Sequence, residues 1–114
     1  MDTSEKLPMT RGAVWWVDFE PSTGSEIKKI RPAVIVSNDH ANKRLERVVV
    51  VPVTSNTSRI YPGEAVVTIE EKQNKAMIDQ IMAADKSRLK NKVCVLSSSD
   101  MQKIDSALRI HLAV

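Results

Sequence analysis

Two runs of β-branched residues set the limits on what this chain can fold into. Arg31-Pro32 leads into Ala33-Val34-Ile35-Val36, and Val48-Val49-Val50-Val51 leads into Pro52-Val53. Each run is continuous rather than alternating and too short for a helix, so the pattern predicts strands covered on both faces. A chain with two such strands must bring apolar surface to both sides of one sheet. At 114 residues and 42% hydrophobic content it has enough for one domain with a real core. Residues 11–114 are expected to form that domain, with 1–10 as a flexible leader.

The other elements follow from period. Residues 12–19 alternate, with Ala13, Trp15, Val17 and Phe19 on one face of a strand and Val14, Trp16 and Asp18 on the other. The first face is the better core, which leaves Trp16 to pack against another subunit or to offer its ring to a base. Pro21-Ser22-Thr23-Gly24 is turn chemistry that opens a long loop. Residues 38–47 are polar with room for one helical turn, 64–69 form a strand, and 70–75 read as a charged turn. Strand character returns over 76–84 and again over 93–96. The period then becomes helical. Met101, Ile104, Leu108 and Leu112, with Ala107 and His111 beside them, make one stripe behind a capping box of Ser99 and Gln102. The expected fold class is mainly β within α+β, a strand-rich body closed by one C-terminal helix.

Composition excludes more than it selects. Cys94 is the only cysteine, so no internal disulfide or thiolate metal cluster can form, and it reads as a small buried hydrophobe. No apolar run approaches the roughly 20 residues that cross a bilayer. The N-terminus lacks the basic start and apolar stretch of a secretion signal. The expectation is therefore a cytoplasmic protein without a membrane partner. A net charge of +3 gives weak support to a nucleic-acid partner. There is no His-x-x-x-His pair, no Gly-rich loop before Lys-Ser/Thr and no Gly-x-Ser-x-Gly elbow. His40 lies in a polar loop and His111 on the terminal helix, which does not suggest a paired-imidazole ribonuclease.

What remains is Arg31, Thr54 and the Ser25-Glu26 pair. Arg31 ends the basic loop Lys28-Lys29-Ile30, and Pro32 holds the chain extended as a strand begins. Thr54-Ser55-Asn56 places hydroxyls at the end of another strand. A guanidinium grips a phosphate bidentately and stabilises charge growing on it, and a threonine hydroxyl orients a phosphate oxygen. RNA supplies its own nucleophile, the 2′-hydroxyl, so such a site can work without metal. The plainer reading is an ion pair between Arg31 and Glu26, with Thr54 merely ending its strand; spacing alone does not choose. Lys86-Ser87-Arg88-Leu89-Lys90-Asn91-Lys92 is open in the same way, a row of charges on an extended backbone or a solvated turn.

Several segments stand in a telling order: Arg11-Gly12, Trp16-Val17-Asp18-Phe19-Glu20-Pro21, Gly24-Ser25-Glu26 and Arg31-Pro32-Ala33-Val34-Ile35-Val36-Ser37. Val51-Pro52-Val53-Thr54, Asp79-Gln80-Ile81 and Asp85-Lys86-Ser87-Arg88-Leu89 follow. Together, over nearly the whole chain, they resemble the MazF/PemK (Kid-like) family of toxin endoribonucleases from type II toxin–antitoxin systems. The resemblance implies an SH3-like small β-barrel with a C-terminal helix, and a homodimer with its RNA groove across the subunit interface. It implies metal-independent, sequence-specific cleavage of single-stranded RNA, mainly mRNA, which inhibits translation and growth. The 2′-oxygen would attack, leaving a 2′,3′-cyclic phosphate and a 5′-hydroxyl, with Arg31, Thr54 and Glu26 as catalytic residues. Ser25, Trp16 and Gln80 are the implied groove residues, joined as RNA contacts by Lys28, Lys29, Ser55 and Asn56. No cofactor and no metal ligand is implied. The implied partner is a MazE-like antitoxin whose acidic, flexible tail occupies the same groove. One departure lies between Glu26 and Arg31: many relatives carry Gln and Gly there, and this chain has Ile27-Lys28-Lys29-Ile30, which adds phosphate attraction. Two other classes stay open on sequence, a CcdB-like gyrase-binding toxin and an RNA-binding regulator without cleavage. Neither needs Arg31 beside Thr54.

Overall fold

The computed structural model describes residues 8–20, 23–26 and 29–114. In chain order these form β1 (Ala13–Asp18), β2 (Ile30–Ile35), α1 (Asp39–Arg44), β3 (Arg47–Thr54) and β4 (Ala65–Ile69). Then come β5 (Lys72–Ala76), β6 (Met82–Asp85), β7 (Leu89–Val95) and α2 (Ser98–Leu112), with 3₁₀ turns at Ile78–Gln80 and Lys86–Arg88. The strands make one curled antiparallel sheet, a half-barrel, in the order β4-β5-β3-β2-β1-β7, with β6 also paired to β3.

β3 holds this arrangement together by changing partners along its length. Its first half pairs with β6, from Arg47↔Asp85 to Val50↔Met82, and its end pairs with β5 at Val53↔Ala76 and Thr54↔Lys75. β2 pairs with it from Ala33↔Pro52 to Ile35↔Val50. Such a strand is covered on both faces, as its unbroken apolar run requires. Val34, Val51 and Val53 pack on the inner face with Val67 and Ile69 of β4 and Ile104 and Ala107 of α2. Ala33, Ile35, Val48 and Val50 pack on the outer face with Trp15, Phe19 and Leu89. β1 divides between the two cores, Val14 to the inner and Ala13, Trp15 and Val17 to the outer. The alternation read from residues 12–19 holds, and Trp16 is left 43% exposed.

Three stretches depart from the periodic reading. Only Glu70 and Glu71 turn in the segment expected to be one charged turn, and Lys72–Ala76 is a strand running antiparallel to β4. Its signal is faint because Lys72 and Gln73 are exposed and the buried positions are Asn74 and Ala76. The strand expected over 76–84 is broken by the turn Ile78–Gln80, and the last strand begins at Leu89 rather than at residue 93. The terminal helix starts earlier than its capping box suggested. Ser97, not Ser99, is the N-cap, and its hydroxyl accepts from the Asp100 amide at 3.1 Å. Asp100 favours that register because its buried carboxylate also accepts from Thr68 N at 2.8 Å, which ties α2 to β4. Leu112 closes the expected stripe but stays half exposed. Among the described residues no helix is long and apolar enough to cross a membrane.

Candidate active site

The inner face of the sheet is only partly covered by α2. What is left opens as a cleft of about 490 Å³. Its apolar lining comes from Ile30, Pro32, Val53, Ile69 and Val93, with the indole of Trp16 beside them. Its polar lining comes from the ends of two strands and from one hairpin. Lys29, Arg31, Thr54 and Ser55 supply the first group, and Glu70, Lys72 and Asn74 supply the second.

Arg31 and Thr54 are brought into one cleft by the pairing of their strands just before them. The β2–β3 ladder ends at Ala33↔Pro52, and Arg31 and Thr54 stand two residues beyond that last pair on their strands, where both line the cleft. Arg31 is exposed, and it is not paired with Glu26. Among the described residues the ion pairs are Arg11–Asp105, Lys75–Glu64 and Lys103–Asp100. Glu26 turns back on its own loop, where Oε1 accepts from Thr23 N at 2.8 Å. Thr54 Oγ1 accepts from Asn56 N at 3.2 Å, so the hydroxyl keeps its hydrogen for an outside acceptor. Among the described residues the Arg31 guanidinium has no ion-pair partner, and a guanidinium lining a cleft with a hydroxyl donor is an arrangement for an oxyanion.

The loop between β1 and β2 enters the cleft through a braced neck. Phe19 N donates to Lys29 O at 3.0 Å, and Lys29 N donates to Glu20 Oε2 at 2.6 Å. Arg88 closes the neck from β7's side, donating to Asp18 O at 3.0 Å and to Glu20 O. Lys29 takes a positive φ of 64° as the chain passes into β2. The basic run 86–92 is thus neither a free row of charges nor a solvated turn. Lys86 Nζ donates to Asn42 O and Lys90 Nζ to Ser87 O, so with Arg88 three of its cations hold backbone carbonyls.

Of the residues singled out from sequence, the cleft gathers Trp16, Lys29, Arg31, Thr54 and Ser55. Ser25 and Glu26 sit on the loop, Gln80 in the 3₁₀ turn after β5, and Asn56 in the turn after β3; none of them lines the cleft. Asn56 Oδ1 instead accepts from Ser58 N and Ser58 Oγ, at 3.2 and 2.8 Å. Lys28 lies outside the described residues. Sequence reading missed Glu70, Lys72 and Asn74, because β5 passed for a turn. Burial pushes the Cys94 thiol up, and the Glu70 carboxylate adds to that, so Cys94 is a protonated packing residue and not a nucleophile. Among the described residues no cluster of three or more His, Cys, Asp or Glu side chains could hold a metal ion.

Comparison with known proteins bears on the family and the fold. Residues 10–112 match the family model described as PemK-like, MazF-like toxin of type II toxin–antitoxin system. Endoribonuclease MazF9 of Mycobacterium tuberculosis is 39% identical, over 91% of this chain and 96% of that protein. Among solved structures, a mycobacterial endoribonuclease in complex with its cognate antitoxin superposes with a TM-score of 0.78 at 25% identity, covering 92% of this chain and 95% of that one. MazF from Deinococcus radiodurans superposes with a TM-score of 0.81 at 22% identity, over 92% and 96% of the two chains, and so shares the fold.

Proposed function

Because this chain belongs to the PemK-like, MazF-like toxin family and is a toxin endoribonuclease of a toxin–antitoxin system, we propose that its cleft takes single-stranded RNA and cuts it with the RNA's own 2′-hydroxyl. The 2′-oxygen attacks the adjacent phosphorus, the bond to the 5′-oxygen of the next nucleotide breaks, and the products are a 2′,3′-cyclic phosphate and a 5′-hydroxyl. Arg31 neutralises the charge that builds on the non-bridging oxygens of the pentacoordinate phosphate. Thr54 donates its hydroxyl hydrogen to one of those oxygens. No metal ion is required, because the cation that a metal would supply is already on β2. The observation that carries this reading is that Arg31 and Thr54, just beyond the end of the β2–β3 ladder, line one cleft.

Trp16 offers its exposed ring to a base, and Lys29 and Ser55 contact the phosphate backbone beside it. Ser25, Lys28, Asn56 and Gln80 act as outer contacts along the strand of RNA. Glu26, carried on the β1–β2 loop, is the candidate base for the 2′-hydroxyl that the family resemblance implies. The protein works in the cytoplasm as a homodimer, and the acidic tail of a MazE-like antitoxin blocks the same cations.

The test is cleavage of a long single-stranded RNA in excess EDTA. Wild type should give discrete fragments with 5′-hydroxyl ends. Arg31→Ala should stay folded and lose about 10²–10³-fold in rate, the scale for removing one preorganised charge stabiliser. Undiminished cleavage by Arg31→Ala would remove the arginine from the mechanism.

A further inference from the structure

The hairpin between β4 and β5 is built against the preferences of its own turn. Ile69 pairs with Lys72, so only Glu70 and Glu71 make the connection, and both have positive φ, 51° and 67°. Turns of this kind favour Asn and Gly, because a residue with a Cβ is strained in the left-handed region. Here two glutamates occupy it. Glu70 lines the cleft and Glu71 does not.

A carboxylate in a cleft that receives a polyanion is unfavourable unless it has its own contact to make. Lys29, Arg31 and Lys72 line the same cleft, yet among the described residues Glu70 forms no salt bridge. Glu70 is exposed at the turn, and it lines the cleft with Val93 of β7. Asn74 stands further along the same hairpin, 8% exposed, with its Nδ2 given to Lys72 O at 3.2 Å. Lys29 and Arg31 face phosphate from the strand ends; the hairpin adds Lys72 and, with Glu70 and Asn74, presents acceptors. Acceptors on that side of the cleft suit the edge of a base that carries donors. Cytosine, adenine and guanine have an exocyclic amino group, and uracil has none.

We propose that Glu70 is a specificity-determining residue for the RNA cleavage, accepting a hydrogen bond from the amino group of one base next to the scissile phosphate. By the same charge it keeps the phosphate backbone on the Arg31 side. Uracil is disfavoured at that position because its carbonyl would face the carboxylate. This rests on the reading that the cleft takes RNA.

Mapping of 5′-hydroxyl ends on a long RNA of mixed sequence tests it, with wild type, Glu70→Gln, Glu71→Gln and Arg31→Ala side by side. Glu70→Gln should still cut, with discrimination against uracil at one position of its sites reduced about tenfold, the scale of one lost base contact. Glu71→Gln has the same turn strain and should keep the wild-type pattern. Glu70→Gly fits the positive φ, so it should fold if Glu70→Gln does not, and it should lose the same selectivity. An unaltered pattern in both Glu70 variants, or an equal change in Glu71→Gln, overturns the proposal while leaving the cleft reading intact. Wild-type cutting by Arg31→Ala would instead overturn the cleft reading beneath it.

Discussion

Lys29 holds a φ of 64° at the point where the loop re-enters the sheet. That region costs a residue with a Cβ about 1–2 kcal/mol, yet a cation stands there, on the edge of the cleft. Lys29→Gly should therefore raise thermal stability while weakening RNA binding. With a 2′-O-methyl RNA that cannot be cut, the slope of log affinity against log salt should fall by about 0.7, one phosphate contact on a single strand. An unchanged slope would place Lys29 off the backbone path. Residues of this kind differ in how well they can be read from sequence. Arg31 and Thr54 were legible because a proline and a strand end mark their positions and their chemistry names its ligand. Glu70 and Asn74 were not, because their roles depend on a hairpin whose apolar residues are too few to announce a strand.

Elements covered on both faces were read most securely. Residues 33–36 and 48–51 fell in β2 and β3 almost as drawn, since burial on both sides leaves an unbroken apolar run. α2 was recognised by its stripe, but its start was misplaced, because three serines in a row each offer a cap and only tertiary structure selects one. The selecting contact is the Asp100 carboxylate on Thr68 N at 2.8 Å. Asp100→Ala should cost about 1–3 kcal/mol, the penalty for leaving a partly buried amide without its acceptor. Urea denaturation measures it; a loss under half a kcal/mol would mean that Ser97 alone sets the helix start.

The parts of the molecule meet at Arg11. Its amide donates to Asp39 Oδ1 at 2.7 Å, its Nε to Val36 O at 2.8 Å and its Nη2 to Asp105 Oδ1 at 2.6 Å. One residue thus joins the entry to β1, the start of α1 and the middle of α2. The Arg11 amide, and after it the Asn42 side chain, hold the Asp39 carboxyl below the usual carboxylate range. A carboxyl lowered on folding adds stability above its unfolded pKa of about 3.9 and loses it as pH falls through the lower folded value. Asp39→Asn should accordingly be less stable than wild type near neutrality, with the gap narrowing below about pH 4. Denaturation midpoints across that range check it, and a constant gap would assign the effect to packing. The arrangement of the sheet as a half-barrel lay beyond local pattern, because it depends on β3 exchanging β6 for β5 midway, which no single segment encodes.

Among the described residues the sheet does not close, and β7 forms one of its borders. An open border of unpaired amides and carbonyls is a template on which any extended chain can grow, and lysine is a common guard against that growth. Lys90 and Lys92 stand on this strand, within the basic run that first suggested phosphate contacts. Charge on such a border works against neighbouring copies stacking strand on strand.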